Sequence, residues 1–484
     1  MANFKSDESF LEKISIGAIG TKKVFEDLTS QGHHPIELER GSMSYKIWKK
    51  IKIKRIRVPD ILLVNSGVRI ESRAKTKLEI TMSHSYSDQD RGWDYGLKDN
   101  DYVAIVVCEK SGEEPIDWSA KNVVQYISIS DLKETYGKGE IIEEVPKGAQ
   151  EGFEKRITWC TAIAKHDGQI TEIANDKIKY KRASDNRTIS LSLTKRSKTM
   201  LPRVSVGENI SANQIIASVV PITKIIPQYK VESTYYLTNL NSNSLSERYA
   251  SAKALAFFDE NIVKQSLLRK LEDDSEHIYV KLEAAASLAR FNIDEGFEFI
   301  SSSLKSDYNQ NVLEAVIILG EIRTEKSCEL LISVLNNSEL DSEIRAGAAW
   351  SLGEINSNSS IDALSCCFNS INENIKIEAA RALAKLTNNY TNDILSRFDN
   401  STSEEKPGIA WALSKSNQIN LSNLLTHLNS LESRQWISYI IGYQREEEYV
   451  TEIENLKNSD PEMYFAITLL WKIIRSWIYN LKEY

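Results

Sequence analysis

Two carboxylates and two cations lie within one short stretch of the chain, at Asp60, Glu71, Arg73 and Lys75. A pair of carboxylates can hold a hard divalent cation such as Mg2+ or Mn2+. A neighbouring cationic side chain can orient a water molecule or offset the charge that develops in a transition state. We therefore predict that Asp60 and Glu71 bind a metal ion, and that Arg73 or Lys75 assists hydrolysis of a phosphodiester bond there.

A β-hairpin is predicted to bring these residues together. Its strands are residues 61–64 and 68–75, and the Asn65-Ser66-Gly67 sequence between them favours a tight turn. Asp60 lies where the first strand begins, so strand pairing brings it near Glu71. Because side chains alternate between strand faces, the three charged residues of the second strand share one face. The other face carries Ile70, Ser72 and Ala74. An ordinary hairpin with solvated charges is the alternative.

Pro59-Asp60, followed by Glu71-Ser72-Arg73, resembles the PD-(D/E)xK motif of the restriction-endonuclease-like nucleases. The resemblance implies an α/β nuclease fold and Mg2+-dependent cleavage of DNA, with Asp60 and Glu71 as metal ligands. The family has Lys at the position of Arg73. Either Lys75, on the same strand face, replaces that Lys, or Arg73 supplies positive charge without being able to accept a proton.

Length and composition indicate a globular protein of several domains. The chain has 484 residues, enough for about three domains. Hydrophobic residues make up 41% and charged residues 26%, which is typical of soluble proteins. The first residues lack the apolar core of a signal peptide, and no apolar run has membrane-spanning length. We expect a cytoplasmic protein with no membrane partner.

Cysteine and histidine residues show no metal-binding pattern. The five cysteines are scattered without a CxxC pair, and the six histidines lack ligand spacing. We expect free buried thiols and no structural zinc. The cysteines are Cys108, Cys160, Cys328, Cys366 and Cys367.

Positive charge is concentrated in two segments of a chain whose net charge is -8. Residues 40–77 contain 12 Lys and Arg against 2 Asp and Glu, and residues 176–203 contain 9 against 2. Concentrated basic charge is typical of surfaces that bind nucleic acid, with DNA favoured here, although a solvated strand face is the alternative. The residues predicted to contact nucleic acid are Lys50, Lys52, Lys54, Arg55, Lys179, Lys181, Arg182, Lys195 and Arg196.

Residues 1–150 are predicted to form one α/β domain. Helical spacing over residues 8–31 is interrupted at Gly17 and Gly20, and we expect the helix to break there. Further strands are predicted at 77–85, at 101–108, where a continuous apolar run indicates burial, and at 123–132, at a sheet edge.

Residues 151–230 are predicted to form a small β-barrel. Three segments resemble, in the same order, a β-barrel module of the bacterial RNA polymerase β subunit. They are Lys165-His166-Asp167-Gly168-Gln169-Ile170, Leu193-Thr194-Lys195-Arg196-Ser197 and Val204-Ser205-Val206-Gly207-Glu208. The resemblance carries no catalytic residue. It implies a barrel with a basic face that either contacts nucleic acid or serves as a spacer.

Residues 231–484 are predicted to form an α-solenoid. A motif of small residues, Leu, and then Ala, Gly or Ser recurs six times, which allows stacked helices to approach closely. The Leu residues are Leu255, Leu288, Leu319, Leu352, Leu383 and Leu413. The pattern resembles HEAT repeats and implies a scaffold for a protein partner or for nucleic acid.

From about Leu424 the repeat period is lost and aromatic residues become frequent. We expect a capping helix pair there, or a surface for a protein partner or a second copy on a last helix over residues 463–481.

The complete interpretation is a nuclease-like α/β domain, a small β-barrel and a HEAT solenoid. By analogy with nucleases fused to repeat scaffolds, it suggests a bacterial restriction or anti-phage defence effector. The alternative is a binding scaffold whose nuclease-like domain has lost its chemistry.

Overall fold

The computed structural model describes residues 7–44, 51, 56–77, 79–88, 91–112, 116–145, 154–416, 419, 421–444 and 447–478. Lys50, Lys52, Lys54 and Arg55 lie outside the described residues, so their predicted strand stays a prediction. The chain forms two compact units, and the boundary between them falls after Ser266. The second unit also contains Ile51.

The first unit opens with a five-stranded mixed sheet in the order β1-β2-β3-β5-β6. Strands β3 and β5 are parallel, and the other neighbours are antiparallel. The elements are α1 (Asp7–Ser30), β1 (Pro35–Glu37), β2 (Ile61–Leu63), β3 (Arg69–Lys75), β4 (Ile80–Ser85), β5 (Tyr102–Lys110), β6 (Trp118–Ser128), α2 (Ile129–Gly137) and β7 (Ile142–Glu144).

The interior strand β5 is buried on both faces, as its apolar run predicted. Ala104 and Val106 pack towards α1, together with Val24 and Leu28. Val103, Ile105 and Val107 pack in a separate core on the opposite face. A strand covered on both sides needs apolar residues at every position, because neither face meets water.

Helix α1 is continuous, so the predicted break at Gly17 and Gly20 is wrong. A methyl group at Gly20 would lie 2.4 Å from Ala74 Cβ on β3, whereas one at Gly17 would meet no atom within 4 Å. Gly20 therefore permits close approach of the helix to the sheet. Ile70 and Ala74 lie on this helix-facing side of β3, which confirms the predicted alternation.

The predicted edge strand at 123–132 is wrong at its C-terminal end. Strand β6 does lie at the sheet edge, but it ends at Ser128 and α2 begins at Ile129. Ser128 is the N-cap, and its hydroxyl accepts a hydrogen bond from Asp131 N–H at 3.0 Å. The Ser-x-x-Asp sequence is a helix-capping pattern, and it starts the helix although the apolar spacing of the segment favours a strand.

The following segment is β-rich, as predicted, and its strands form several small sheets. The described strands pair as β12-β11-β10-β16, as β15-β17-β9, as the hairpin β13-β14 and as β4-β8-β7. A barrel like that of the polymerase subunit stays a prediction. The strands are β8 (Glu154–Trp159), β9 (Thr161–Ile163), β10 (Gly168–Ile173), β11 (Lys177–Arg182), β12 (Thr188–Ser192), β13 (Thr194–Lys195), β14 (Lys198–Thr199), β15 (Leu201–Pro202), β16 (Asn209–Ile210) and β17 (Ile215–Ser218).

One hydrophobic cluster contains residues from both the α/β part and the β-rich part, from Ile80 to Val220. The predicted boundary at residue 150 lies between the described residues 145 and 154. The division of the chain into three domains therefore stays a prediction.

The remainder of the chain is helical. Helix α12 has a break at Tyr390, where φ is -128° and ψ is 32°. The helices are α3 (Ser233–Asn239), α4 (Leu245–Ala254), α5 (Asn261–Glu272), α6 (Ile278–Arg290), α7 (Asp294–Ser303), α8 (Asn309–Ile322), α9 (Glu325–Asn336), α10 (Ser342–Ile355), α11 (Ile361–Cys366), α12 (Glu373–Asp399), α13 (Lys406–Ser414), α14 (Leu421–Leu425), α15 (Leu431–Gln444), α16 (Glu447–Ser459) and α17 (Pro461–Ile478).

The six repeated Leu residues are all fully buried. Leu255 follows α4 in the first unit, and the others lie in α6, α8, α10, α12 and α13 of the second. A methyl group at Gly320 would lie 2.9 Å from Ser351 Cβ, and one at Gly353 would lie 2.9 Å from Ala382. The small residues therefore allow α8 to touch α10 and α10 to touch α12, as the repeat predicted.

Helices α16 and α17 pack against each other at the C-terminal end of the second unit. Phe465 and Leu469 on α17 are 70% and 51% exposed, so the last helix keeps an apolar surface. A cap and an interface both remain predictions for it.

No described helix is long and apolar enough to cross a membrane. The five cysteines are free, and four of them are buried, whereas Cys366 is exposed.

We predict opposite effects for alanine at two glycines of α1. Gly20→Ala should destabilise the first unit by about 1–3 kcal/mol, because the added methyl group overlaps Ala74. Gly17→Ala is the matched control and should stabilise the helix by about 0.5–1 kcal/mol, because alanine loses less backbone entropy on folding. Thermal unfolding and hydrogen exchange of α1 amides measure both. Equal effects of the two substitutions would contradict the close packing of α1 on β3.

Candidate active site

Main-chain contacts on two sides fix the position of Asp60. Strand β2 pairs with both β1 and β3, and Asp60 directly precedes β2. The Asp60 carbonyl accepts hydrogen bonds from Leu38 N–H at 2.7 Å and Glu39 N–H at 3.3 Å, just beyond β1. Its Oδ2 accepts the Ser72 N–H of β3 at 2.7 Å. The carboxylate is therefore held between the end of β1 and the middle of β3.

Burial raises the pKa of Asp60 well above its usual range, and the nearby carboxylates of Glu71 and Glu39 raise it further. The hydrogen bond from Ser72 and the charge of Arg73 act in the opposite direction but do not offset these effects. Three acidic side chains therefore lie close enough to interact, and the charge of Arg73 does not cancel their effect on the pKa of Asp60. The predicted proximity of Asp60 and Glu71 agrees with this electrostatic coupling.

Glu39 is a site residue that the sequence analysis missed. It follows β1, and β1 joins the sheet beside β2, so strand pairing brings it next to Asp60. An available signal was the alternation of Glu37 and Glu39 around the buried Leu38, which places two acids on one side of an extended segment. The position of these acids beside the hairpin depends on the pairing of β1 with β2, which the local sequence does not predict.

A cavity of about 260 Å³ opens over the charged face of β3. Its lining is largely polar, and it includes acidic and guanidinium side chains together with aromatic residues from the loop before β5. The lining residues used below are Glu39, Arg57, Glu71, Arg73, Trp93 and Tyr95. The cavity thus combines groups that bind cations with groups that bind anions.

Glu71 and Arg73 form an ion pair within the cavity, with Oε1 and a terminal guanidinium nitrogen 2.9 Å apart. The Glu71 side chain is 20% exposed and that of Arg73 is 36% exposed. Arg73 Nε is buried and makes no hydrogen bond. The guanidinium therefore lies beside the acidic groups and retains an unused donor.

Lys75 lies on the same strand but outside the cavity lining. Its ammonium donates to the Thr81 carbonyl at 3.1 Å and to the Thr81 hydroxyl at 3.2 Å. Burial lowers the pKa of Lys75 to about 8, and the charges of Arg73 and Arg156 also lower it. Of the two candidate cations, Arg73 is the one that contacts Glu71.

The fit of a divalent metal ion to this site rests on Asp60 and Glu71. Among the residues that the structure describes, no three His, Cys, Asp or Glu side chains are close enough to form a complete protein cage. Mg2+ is commonly bound by one or two carboxylates, with water and phosphate oxygens completing the coordination. The crowded acids that raise the pKa of Asp60 fit such a cation, because its charge would relieve their repulsion.

The predicted basic face of residues 176–203 carries less free charge than its composition suggests. Lys177, Lys179 and Lys181 alternate with buried Ile178 and Tyr180, so the face exists. Four of the five predicted cations, however, have acidic neighbours. The pairs are Lys179 with Glu172 at 2.7 Å, Arg182 with Asp185, Lys195 with Glu79 at 3.7 Å, and Arg196 with Glu144. Lys181 is exposed. Nucleic-acid contact at these residues stays a prediction.

Comparisons with known proteins concern the helical part of the chain. No curated protein matches the sequence. Solved structures with similarity include the complex of CpcE and CpcF of phycocyanin lyase from Nostoc sp. PCC7120, with 14% identity, 51% of this chain and 98% of that chain covered, and a TM-score of 0.26. Human deoxyhypusine hydroxylase in complex with glycerol has 15% identity and a TM-score of 0.24, and the match covers 39% of this chain and 76% of that chain. Computationally designed armadillo repeat proteins for modular peptide recognition have 16% identity and a TM-score of 0.24, and the match covers 38% of this chain and 100% of that chain.

The family model of HEAT repeats matches residues 297–384, from within α7 to within α12. The matched segment contains three of the six predicted motif copies, at Leu319, Leu352 and Leu383. The C-terminal region of this chain therefore contains HEAT repeats.

Proposed function

We propose that the first unit is a metal-dependent phosphodiesterase that cleaves nucleic acid, with DNA as the favoured substrate. The observation that carries this proposal is the group of carboxylates around Asp60, where burial and then the charges of Glu71 and Glu39 raise the pKa of Asp60. Such crowding costs stability, so a functional counter-charge is a good reason for it. The neighbouring Arg73 supports an anionic substrate at the same place.

In this proposal Asp60 and Glu71 hold the cation, and Glu39 orients water at its edge. A divalent ion, when bound, supplies Lewis-acid polarisation of the scissile phosphate. Arg73 would exchange its contact with Glu71 for the phosphate through its terminal guanidinium nitrogens, one of which meets Glu71. Its guanidinium remains charged throughout, so its role is to stabilise negative charge and not to move a proton. The Ser72 amide holds Asp60 in position.

A second candidate is a scaffold with a degenerate site, in which the HEAT repeats bind a protein partner. The observation that favours it is the ion pair of Glu71 with Arg73, which partly satisfies the acidic group without a metal. HEAT repeats present extended surfaces, and such surfaces suit protein partners. A test of catalysis separates the two candidates.

We predict metal-dependent cleavage by the wild-type protein that Asp60→Asn and Glu71→Gln remove. Plasmid DNA, single-stranded DNA and RNA are incubated with Mg2+ or Mn2+, with a chelator as the control. Arg73→Ala should reduce the rate about 100-fold or more, since one positioned charge donor is typically worth that much. Lys75→Ala should have a smaller effect. If the wild type cleaves nothing and Arg73→Lys creates activity, the scaffold alternative is correct.

The pH dependence of cleavage distinguishes the two cations further. If Arg73 supplies the charge, the rate should not decline near pH 8, because the guanidinium stays protonated. If Lys75 supplied it, the rate would fall as the pH rises through about 8, where its ammonium loses a proton. We expect no such decline in the wild type and the same profile in Lys75→Met.

We predict that Asp60→Asn stabilises the metal-free fold at neutral pH. A raised pKa means that the folded protein binds this proton more tightly than the unfolded chain, so stability is lost as the pH rises through the raised pKa. The neutral amide avoids this loss and can still accept the Ser72 N–H. Unfolding temperatures measured with a chelator from about pH 4, near the usual pKa of Asp, up to pH 8.5 should show a gain for Asp60→Asn that grows with pH up to the raised pKa and is constant above it. A variant that is less stable than the wild type at pH 8.5 would contradict the crowded site.

A further inference from the structure

An exposed tyrosine is held rigidly at the rim of the candidate active site. Tyr95 is 43% exposed and lines the cavity that contains Glu71 and Arg73. The Arg57 guanidinium lies 5.5 Å from the centroid of the Tyr95 ring. An aromatic face and a cation therefore stand together where a bound phosphodiester would enter.

The loop that carries Tyr95 is anchored on three sides. Arg57 donates to the Gly92 carbonyl at 3.1 Å, and the Trp93 N–H donates to His84 Nδ1 at 3.3 Å. On the third side, Arg69 donates to the Gly96 carbonyl at 3.1 Å. A loop fixed in this way presents the Tyr95 ring at little entropic cost, which is what a recognition surface requires.

The Arg69 anchor is itself buried and paired. Its guanidinium forms an ion pair with Asp101 at 2.5 Å, and the two side chains are 5% and 1% exposed. Asp101 Oδ2 also accepts the Lys98 N–H at 2.7 Å, just beyond the loop. Gly96 has φ +78°, and a methyl group there would lie 3.1 Å from the Arg57 carbonyl oxygen. The loop and the segment around Arg57 thus pack closely against each other.

The size of the cavity limits what can reach the carboxylates. Its volume of about 260 Å³ is slightly below the range of roughly 300–1,000 Å³ for small-molecule sites, so it is too small to hold both strands of a duplex. Away from the ends of a duplex, the bases are stacked on each other and their faces are covered. There, a tyrosine ring at the cavity rim can stack only on a base that is unpaired or flipped out.

We propose that Tyr95 and Arg57 form a stacking platform for an unpaired base next to the scissile phosphate, so that the substrate class is single-stranded or locally unpaired nucleic acid. This inference rests on the proposed function, because it concerns the same cavity. Tyr95 supplies the π face, and Arg57 supplies positive charge to the adjoining phosphate. The chemistry is shared by DNA and RNA, and the test includes both.

The test measures binding separately from cleavage. Anisotropy of fluorescein-labelled single-stranded DNA, single-stranded RNA and a blunt DNA duplex of the same sequence is recorded with a chelator present, and KM and kcat are measured with Mg2+ or Mn2+. Wild type should bind the single strands at least about 10-fold more tightly than the duplex. Tyr95→Ala should weaken single-strand binding by about 5- to 150-fold, the range for one stacked base, and should raise KM more than it lowers kcat.

Matched variants exclude a general loss of structure. Tyr95→Phe keeps the ring and should bind as the wild type does. Tyr308→Ala removes another exposed tyrosine, 71% exposed and outside the cavity lining, and should also leave binding unchanged. Arg57→Gln should weaken binding and reduce its salt dependence.

The outcomes separate this inference from the proposed function. Unchanged binding by Tyr95→Ala, or tighter binding of the duplex than of the single strands, would overturn the inference even if cleavage occurs. Loss of binding by Tyr95→Phe as well as Tyr95→Ala would also overturn it, since the ring would then not be the cause. Tyr95-dependent binding of single strands without any metal-dependent cleavage would support the platform and refute the phosphodiesterase.

Discussion

The candidate site depends on one constraint, which is that the Ser72 amide of β3 holds the Asp60 carboxylate beside two other acids. The antiparallel pairing of β2 with β1 and β3 positions Asp60, and its own carbonyl is bonded to the segment that carries Glu39. The resulting repulsion opposes folding, and hydrophobic packing elsewhere in the first unit must offset it. The proposed divalent cation would relieve this repulsion.

Packing on both faces of the sheet supports the strands that carry the charged residues. On one face, Gly20 lets α1 lie against Ala74, so the strand that carries the charged residues cannot move away from the helix. On the other, Val103, Ile105 and Val107 of β5 join a second core and lie beside Glu71, Arg73 and Lys75 in register. The apolar core thus supports one side of the strands that carry the charged residues.

Local pattern was enough to predict the hairpin, the face shared by the charged residues, the buried strand β5 and the HEAT repeats, because each depends on a period of a few residues or on a repeated motif. Glu39 and the rim at Tyr95 were not predicted, since they reach the site through strand order and loop packing. Gly20 was misread because glycine marks helix breaks and close packing alike. Two acidic partners of the basic face, Glu79 and Glu144, were not predicted because they come from distant segments.

The central claim is that Asp60 and Glu71 hold a divalent cation. A crystal of the full chain soaked in Mn2+ and measured at a wavelength with Mn anomalous scattering tests this directly. We expect one anomalous peak between the two carboxylates, at about 2.0–2.6 Å from their oxygens, and no peak there in Asp60→Asn. A wild-type crystal with no manganese at these residues, or with the Glu71–Arg73 pair intact beside an empty cavity at saturating Mn2+, would contradict the account.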